Sequence, residues 1–301
     1  MPVPPGRFGA VLTAMITPFT DDGALDVDGC ATLARWLVDN GSDGLVLAGT
    51  TGESPVLSDD EKLTLFRTVR EAVTVPLIAG TTTYDTAHSI HLTKEAEALG
   101  MDGILAVTPP YNRPGQSGLR GHFSAVAEAT TLPILIYDIP IRTGRKIANE
   151  TFVELARAHP NIVGVKDAAQ SPASTALLLR EVPNFELYSG DDALTLPFLS
   201  IGGVGVISVA SHWTGTLQGQ MLAAFAKGDV EEAQRIHNRL LPSFSFMSSD
   251  ATPNPLPTKA MMRVLGLPAG QARLPMGPAP DGLEDQARSI LEDLGADAPR
   301  G

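Results

Sequence analysis

An alternation governs what this chain can fold into. Short apolar runs, many of them rich in β-branched residues, end in Gly, Pro, Thr or Asp, and each is followed by an amphipathic stretch. The runs cover residues 10–16, 44–48, 77–80, 103–107, 134–137, 162–166, 186–189 and 205–209. Helical spacing covers residues 28–40, 59–73, 86–99, 119–129, 150–158 and 172–181 between them. Runs that are apolar throughout, rather than at every second position, predict strands buried on both faces. Strands alternating with helices predict a parallel sheet with right-handed crossovers. Eight such strands are the number that closes a (β/α)8 TIM barrel. An open doubly wound sheet is the competing arrangement, but Ile16-Thr17-Pro18-Phe19-Thr20 is not its glycine-rich loop.

Helical spacing continues past the last run, over residues 217–226, 230–246, 258–265 and 283–294. One of these helices is expected to close the barrel. The rest form a C-terminal helical extension, so the expected division is a catalytic barrel over residues 1–227 and an extension packed on it over 228–301. In Ser58-Asp59-Asp60-Glu61 the serine and the glutamate predict a capping box, satisfying the free N–H groups at a helix start.

A net charge of −12 speaks against nucleic acid as a partner and against attraction to an anionic membrane surface. The start, Met1-Pro2-Val3-Pro4-Pro5-Gly6-Arg7, has no apolar signal core, and no run approaches a membrane span. A soluble cytoplasmic protein is the expectation. Cys30 is the single cysteine, which excludes an intrachain disulfide and reads as a small packed residue.

In such a barrel the chemistry sits at the C-terminal ends of the strands. The sixth run ends in Lys166, where burial disfavours the charged form and leaves a neutral amine able to form a Schiff base with a carbonyl. Taken alone, that lysine reads first as one that snorkels to water or pairs with Asp167, and only the other strand ends reverse this. Gly164 is expected to leave room beneath it. The second run leads into Gly49-Thr50-Thr51-Gly52-Glu53, whose hydroxyls and N–H groups make a carboxylate nest or simply a tight turn. Tyr111 lies on the stiff loop Thr108-Pro109-Pro110-Tyr111-Asn112-Arg113-Pro114, exposed toward substrate or a neighbouring subunit. If Leu135 faces the lumen, so does Tyr137. Arg142 follows, with a fork that fits a carboxylate, although taken alone it reads as a surface arginine. Glycines at residues 190, 202, 203 and 205 suit either a phosphate site or close packing.

Gly49-Thr50-Thr51-Gly52-Glu53, Tyr137-x-x-Pro140 and Gly164-x-Lys166-Asp167 together resemble the pyruvate-dependent class I aldolase and lyase superfamily, which includes the N-acetylneuraminate lyases. Arg142-Thr143-Gly144, Ser189-Gly190-Asp191-Asp192-Ala193, Tyr111-Asn112-Arg113-Pro114 and Pro253-Asn254-Pro255-x-Pro257-x-Lys259 are similar to its dihydrodipicolinate synthase family. The resemblance spans nearly the whole chain. It implies that Lys166 forms a covalent imine with pyruvate and that no separate cofactor or metal is needed. It implies that Tyr137 shuttles protons and that Thr50 links it to Tyr111 of an adjacent subunit, in a homodimer or homotetramer. Thr50 and Thr51 would hold the pyruvate carboxylate, Arg142 that of L-aspartate-4-semialdehyde, and Gly190 and the Ile207 backbone would line the pocket. Where lysine-inhibited members bind L-lysine, this chain has Asp59, Lys62, Tyr84, His88 and Pro110, so inhibition is expected to be weak or absent.

Two other readings compete. A sister aldolase would act on N-acetylneuraminate or a 2-keto-3-deoxy sugar acid, which asks for neutral groups where Arg142 stands. A non-catalytic keto-acid sensor would not need the full set Lys166, Tyr137, Thr50 and Tyr111. His88 and His91 lie three apart but lack a third ligand for zinc and read as surface groups. His212 reads as a capping or packing residue. Asp191 and Asp192 read as acids at a helix N-terminus rather than as magnesium ligands.

Overall fold

A computed structural model describes residues 6–247 and 249–299. Among these, eight parallel strands pair in chain order into a closed barrel. They are β1 Val11–Ala14, β2 Gly44–Leu47, β3 Leu77–Gly80, β4 Gly103–Val107, β5 Ile134–Asp138, β6 Ile162–Asp167, β7 Glu186–Ser189 and β8 Gly205–Ser208. Closure is made by β1 against β8, with Leu12 opposite Ile207. Most strand residues are buried, as continuous apolar runs covered on both faces require. This is the expected (β/α)8 barrel.

Alternation along each strand sends side chains to two cores. One set, including Leu12, Val46, Ile78, Leu105, Leu135, Tyr137, Tyr188 and Ile207, packs inside the barrel. The other, including Leu45, Leu77, Ile104, Ile136 and Val165, packs against the helices outside. Leu135 and Tyr137 do share the lumen face. Glycine at position 164 has a different cause from the one expected. A Cβ there would stand 2.3 Å from the Glu186 carbonyl oxygen, so it is the approach of β7 that demands glycine, not space under Lys166. Gly203 and Gly205 are likewise explained by packing, since added Cβ atoms would meet the carbonyl oxygens of Phe198 at 2.8 Å and Ala10 at 2.3 Å.

Helices surround the sheet, and several start with a side-chain cap. Ser58 and Glu61 form the expected reciprocal box at the start of Asp59–Ala72. Asp26 and Asp85 cap Val27–Asp39 and Thr86–Ala98. Ser211–Ala226 completes the barrel, and Val230–Phe246 packs on it, with Trp213 Nε1 donating to Ser243 Oγ at 3.0 Å. Leu256–Val264 and Leu283–Leu294 pack together. No helix among the described residues is long and apolar enough to cross a membrane.

Candidate active site

Lys166 is the penultimate residue of β6, paired in register with Tyr137 on β5 and Tyr188 on β7. It is 5% exposed, and its amine lies 4.2 Å from the centre of the Tyr137 ring. Burial lowers its pKa to about 7, against a weaker opposing pull from Asp192, with Arg142 lowering it further. An amine poised there is partly neutral near neutral pH and able to attack a carbonyl. Asp167 does not neutralise it. That carboxylate turns to Thr175 Oγ1 and the Ala169 N–H.

Tyr137 is buried beside the amine, and burial raises its pKa to about 12, opposed by Arg142 and by a hydrogen bond with Thr50. The phenol therefore keeps its proton until a partner takes it. Thr50 follows β2, in a turn where Ala48 (φ +49°) and Glu53 (φ +57°) both adopt the left-handed region. Thr51 is buried, and its Oγ1 accepts from Asn254 Nδ2 at 2.9 Å. Gly190 follows β7, and a Cβ there would stand 3.0 Å from Lys166 Cγ. Ile207 on β8 packs in the lumen cluster with Tyr137.

A cavity of about 390 Å³ opens from Thr50 and Tyr137 past Arg142. Arg142 lies on the short helix Pro140–Thr143, and its cation acts on both Tyr137 and Lys166. Asp59, Lys62, Tyr84, His88 and Pro110 also line the cavity. There His88 Nε2 meets the Asp59 carboxylate at 2.9 Å. Of the expected residues Thr50, Tyr137 and Arg142 line this cavity, whereas Lys166, Thr51, Gly190 and Ile207 do not. Tyr111, at φ +66°, is 93% exposed and does not line it either.

Asp191 and Asp192 stand at the start of a short helix, as expected, but Asp192 has a further role that the sequence does not announce. Asp191 does cap the following turn, accepting from the Ala193 N–H at 3.0 Å. Asp192 instead turns inward to Ser208 Oγ, the Val209 N–H at 3.1 Å and Gln218 Nε2 at 3.0 Å. Its charge favours the protonated form of Lys166. The acceptor role rests on Ser208 and Gln218, which no local motif connects to it. His212 is a packing residue, with Nε2 accepting from the Ile16 N–H at 3.1 Å. Among the described residues no cluster of three or more His, Cys, Asp or Glu is placed to hold a metal ion.

Known proteins resemble this chain over nearly its whole length. The sequence profile described as the Dihydrodipicolinate synthetase family matches residues 7–294. The chain belongs to that family. A 4-hydroxy-tetrahydrodipicolinate synthase of Moorella thermoacetica is 49% identical over 96% of this chain and 99% of its own length. The family member from Cyanidioschyzon merolae, a dihydrodipicolinate synthase solved with lysine bound, superposes with a TM-score of 0.92 at 44% identity, covering 96% of this chain and 98% of that one. A Bacillus anthracis dihydrodipicolinate synthase gives 0.91 at 39% identity, covering 95% and 98%.

Proposed function

We propose that this protein is a 4-hydroxy-tetrahydrodipicolinate synthase, a lyase joining pyruvate to L-aspartate-4-semialdehyde in lysine and diaminopimelate biosynthesis. The observation that carries this reading is the Lys166 amine, buried at the mouth of the barrel with its pKa lowered to about 7 and held against Tyr137. The synthase name carried by a relative of nearly equal length supports the choice of aldehyde.

Lys166 adds to the C2 carbonyl of pyruvate and water leaves, giving an imine. Loss of a C3 proton gives an enamine, whose C3 attacks the aldehyde carbon and turns its oxygen into a hydroxyl. The amino group of the aldehyde substrate then displaces Lys166 at C2, closing the ring and freeing the lysine. One water is lost overall. Tyr137 and Thr50 pass the protons, since water is scarce where the imine forms. Thr50 and Thr51 hold the pyruvate carboxylate, and Arg142 that of the aldehyde. Gly190 gives the space beside Lys166, and the Ile207 backbone lines the pocket. No metal or dissociable cofactor takes part.

The catalytic unit is the barrel, residues 1–227, with 228–301 as its packed extension. The working assembly is a cytoplasmic homodimer or homotetramer in which Tyr111 reaches the Thr50 of an adjacent subunit. Its 93% exposure supports that reading. L-Lysine binds weakly or not at all, because the paired Asp59 and His88, with Lys62, stand in the cavity wall where lysine-inhibited members bind it.

Borohydride reduction in the presence of pyruvate tests the reading. The expected result is a pyruvate adduct mapped to Lys166 by mass spectrometry, with turnover of aspartate semialdehyde and none of sugar acids. No adduct at Lys166 ends it.

A further inference from the structure

The turn that carries Thr50 and Thr51 is held from the C-terminal extension. Ala48 and Glu53 bracket it at φ +49° and +57°, a region that costs a non-glycine residue roughly 1 kcal/mol or more. Such a turn persists only if its surroundings hold it. Thr17 Oγ1 donates to the Gly52 carbonyl at 2.7 Å, and Asn254 Nδ2 to Thr51 Oγ1 at 2.9 Å. The strongest restraint is on Glu53. Its carboxylate is buried, with Oε1 at 2.8 Å from Lys259 Nζ and Oε2 accepting the Arg273 N–H at 2.9 Å. Lys259 lies on Leu256–Val264, is 1% exposed, donates to the Gln271 carbonyl at 3.1 Å and sits 4.0 Å above the Phe19 ring. It does not line the cavity.

We infer that Lys259 is a positioning residue, whose ion pair with Glu53 fixes the Thr50–Thr51 turn in the conformation that receives the pyruvate carboxylate. The inference rests on the role proposed above for Thr50 and Thr51. Nothing else about Lys259 places it in the chemistry. Its influence passes through one carboxylate into three residues of backbone. Its loss therefore weakens pyruvate capture more than it weakens capture of the aldehyde, whose carboxylate Arg142 holds from a separate element, the helix Pro140–Thr143.

Steady-state kinetics of full-length Lys259→Met, Lys259→Arg and Glu53→Gln, with both substrates varied, test this. In Lys259→Met and Glu53→Gln the KM for pyruvate is expected to rise by between about tenfold and a hundredfold. The KM for the aldehyde should change less than about twofold in the same variants. Lys259→Arg recovers most of the loss, and the Glu53→Gln/Lys259→Met double variant is no worse than either single one. If Lys259→Met does not fold, Lys259→Arg and Glu53→Gln decide the matter. Folded variants with both KM values unchanged, or with both raised together, overturn the inference and leave the proposed function standing. Absence of a borohydride adduct on wild-type Lys166 overturns both.

Discussion

Lys166 stands at the mouth of the barrel and forms no ion pair among the described residues, whereas Lys259, a few residues into the helix Leu256–Val264, grips Glu53 at 2.8 Å. Both ammonium groups have left water, and burial lowers both pKa values, to about 7 and about 8. What differs is the company. Glu53 opposes the shift of Lys259 through charge and hydrogen bond, so that lysine stays cationic at neutral pH. Lys166 has only Asp192, which stands off and is itself engaged with Ser208 and Gln218. One fold thus uses the same side chain as a structural tie and, in the function proposed above, as a nucleophile, and the distinction lies in whether a carboxylate is in contact.

The largest test of that contrast is Lys166→Met. Its kcat/KM is expected to fall by more than about a thousandfold, because the nucleophile is gone. Its stability should move the other way. The unfolded chain holds its proton up to pH 10.5 and the folded one only to about 7, so stability rises with pH between those values and the cost of burial is felt in full below pH 7. The variant should therefore be more stable than wild type at about pH 6, by an amount on the order of a few kcal/mol, with the gain vanishing toward pH 10.5. Urea denaturation at both pH values measures it, and a variant less stable at pH 6 breaks the contrast.

Lys259→Met should do the reverse. It leaves Glu53 buried without its cation and should lose roughly 3–5 kcal/mol of stability. Urea midpoints compared with wild type check this, and a loss under about 1 kcal/mol would mean that Glu53 finds another partner. The smallest effect is on the pH profile. As the folded pKa of Lys166 is about 7, kcat/KM for pyruvate should climb about tenfold per unit on the acid side and level off above it. A profile flat from pH 5.5 to 8 would place the nucleophile elsewhere.

Much of this molecule is legible in its sequence because the strands are apolar throughout and the turns between them carry Gly, Pro and Asp. The lumen position of Tyr137 followed from period two along β5. Legibility failed where a buried face is polar. The helix expected from residue 217 begins at Ser211, because Ser211, His212, Thr214 and Gln218 are all buried and each makes hydrogen bonds, so this polar buried face hides the apolar stripe. The helix expected from residue 119 begins at Gln116, where Gly115 offers no side-chain cap. The Glu53–Lys259 tie was invisible for another reason. It joins a turn near the first quarter of the chain to the C-terminal extension, and only the folded chain brings the two charges together.

Tyr137 and Lys166 are direct partners across the β5–β6 ladder. Neighbouring strands sit about 4.8 Å apart whatever side chains they carry. The sheet's backbone hydrogen bonds therefore act as a ruler between phenol and amine, and neither group depends on a mobile loop to find the other. Warming loosens loops long before it parts the strands of a closed barrel. The spacing of phenol and amine therefore lasts until the barrel itself opens.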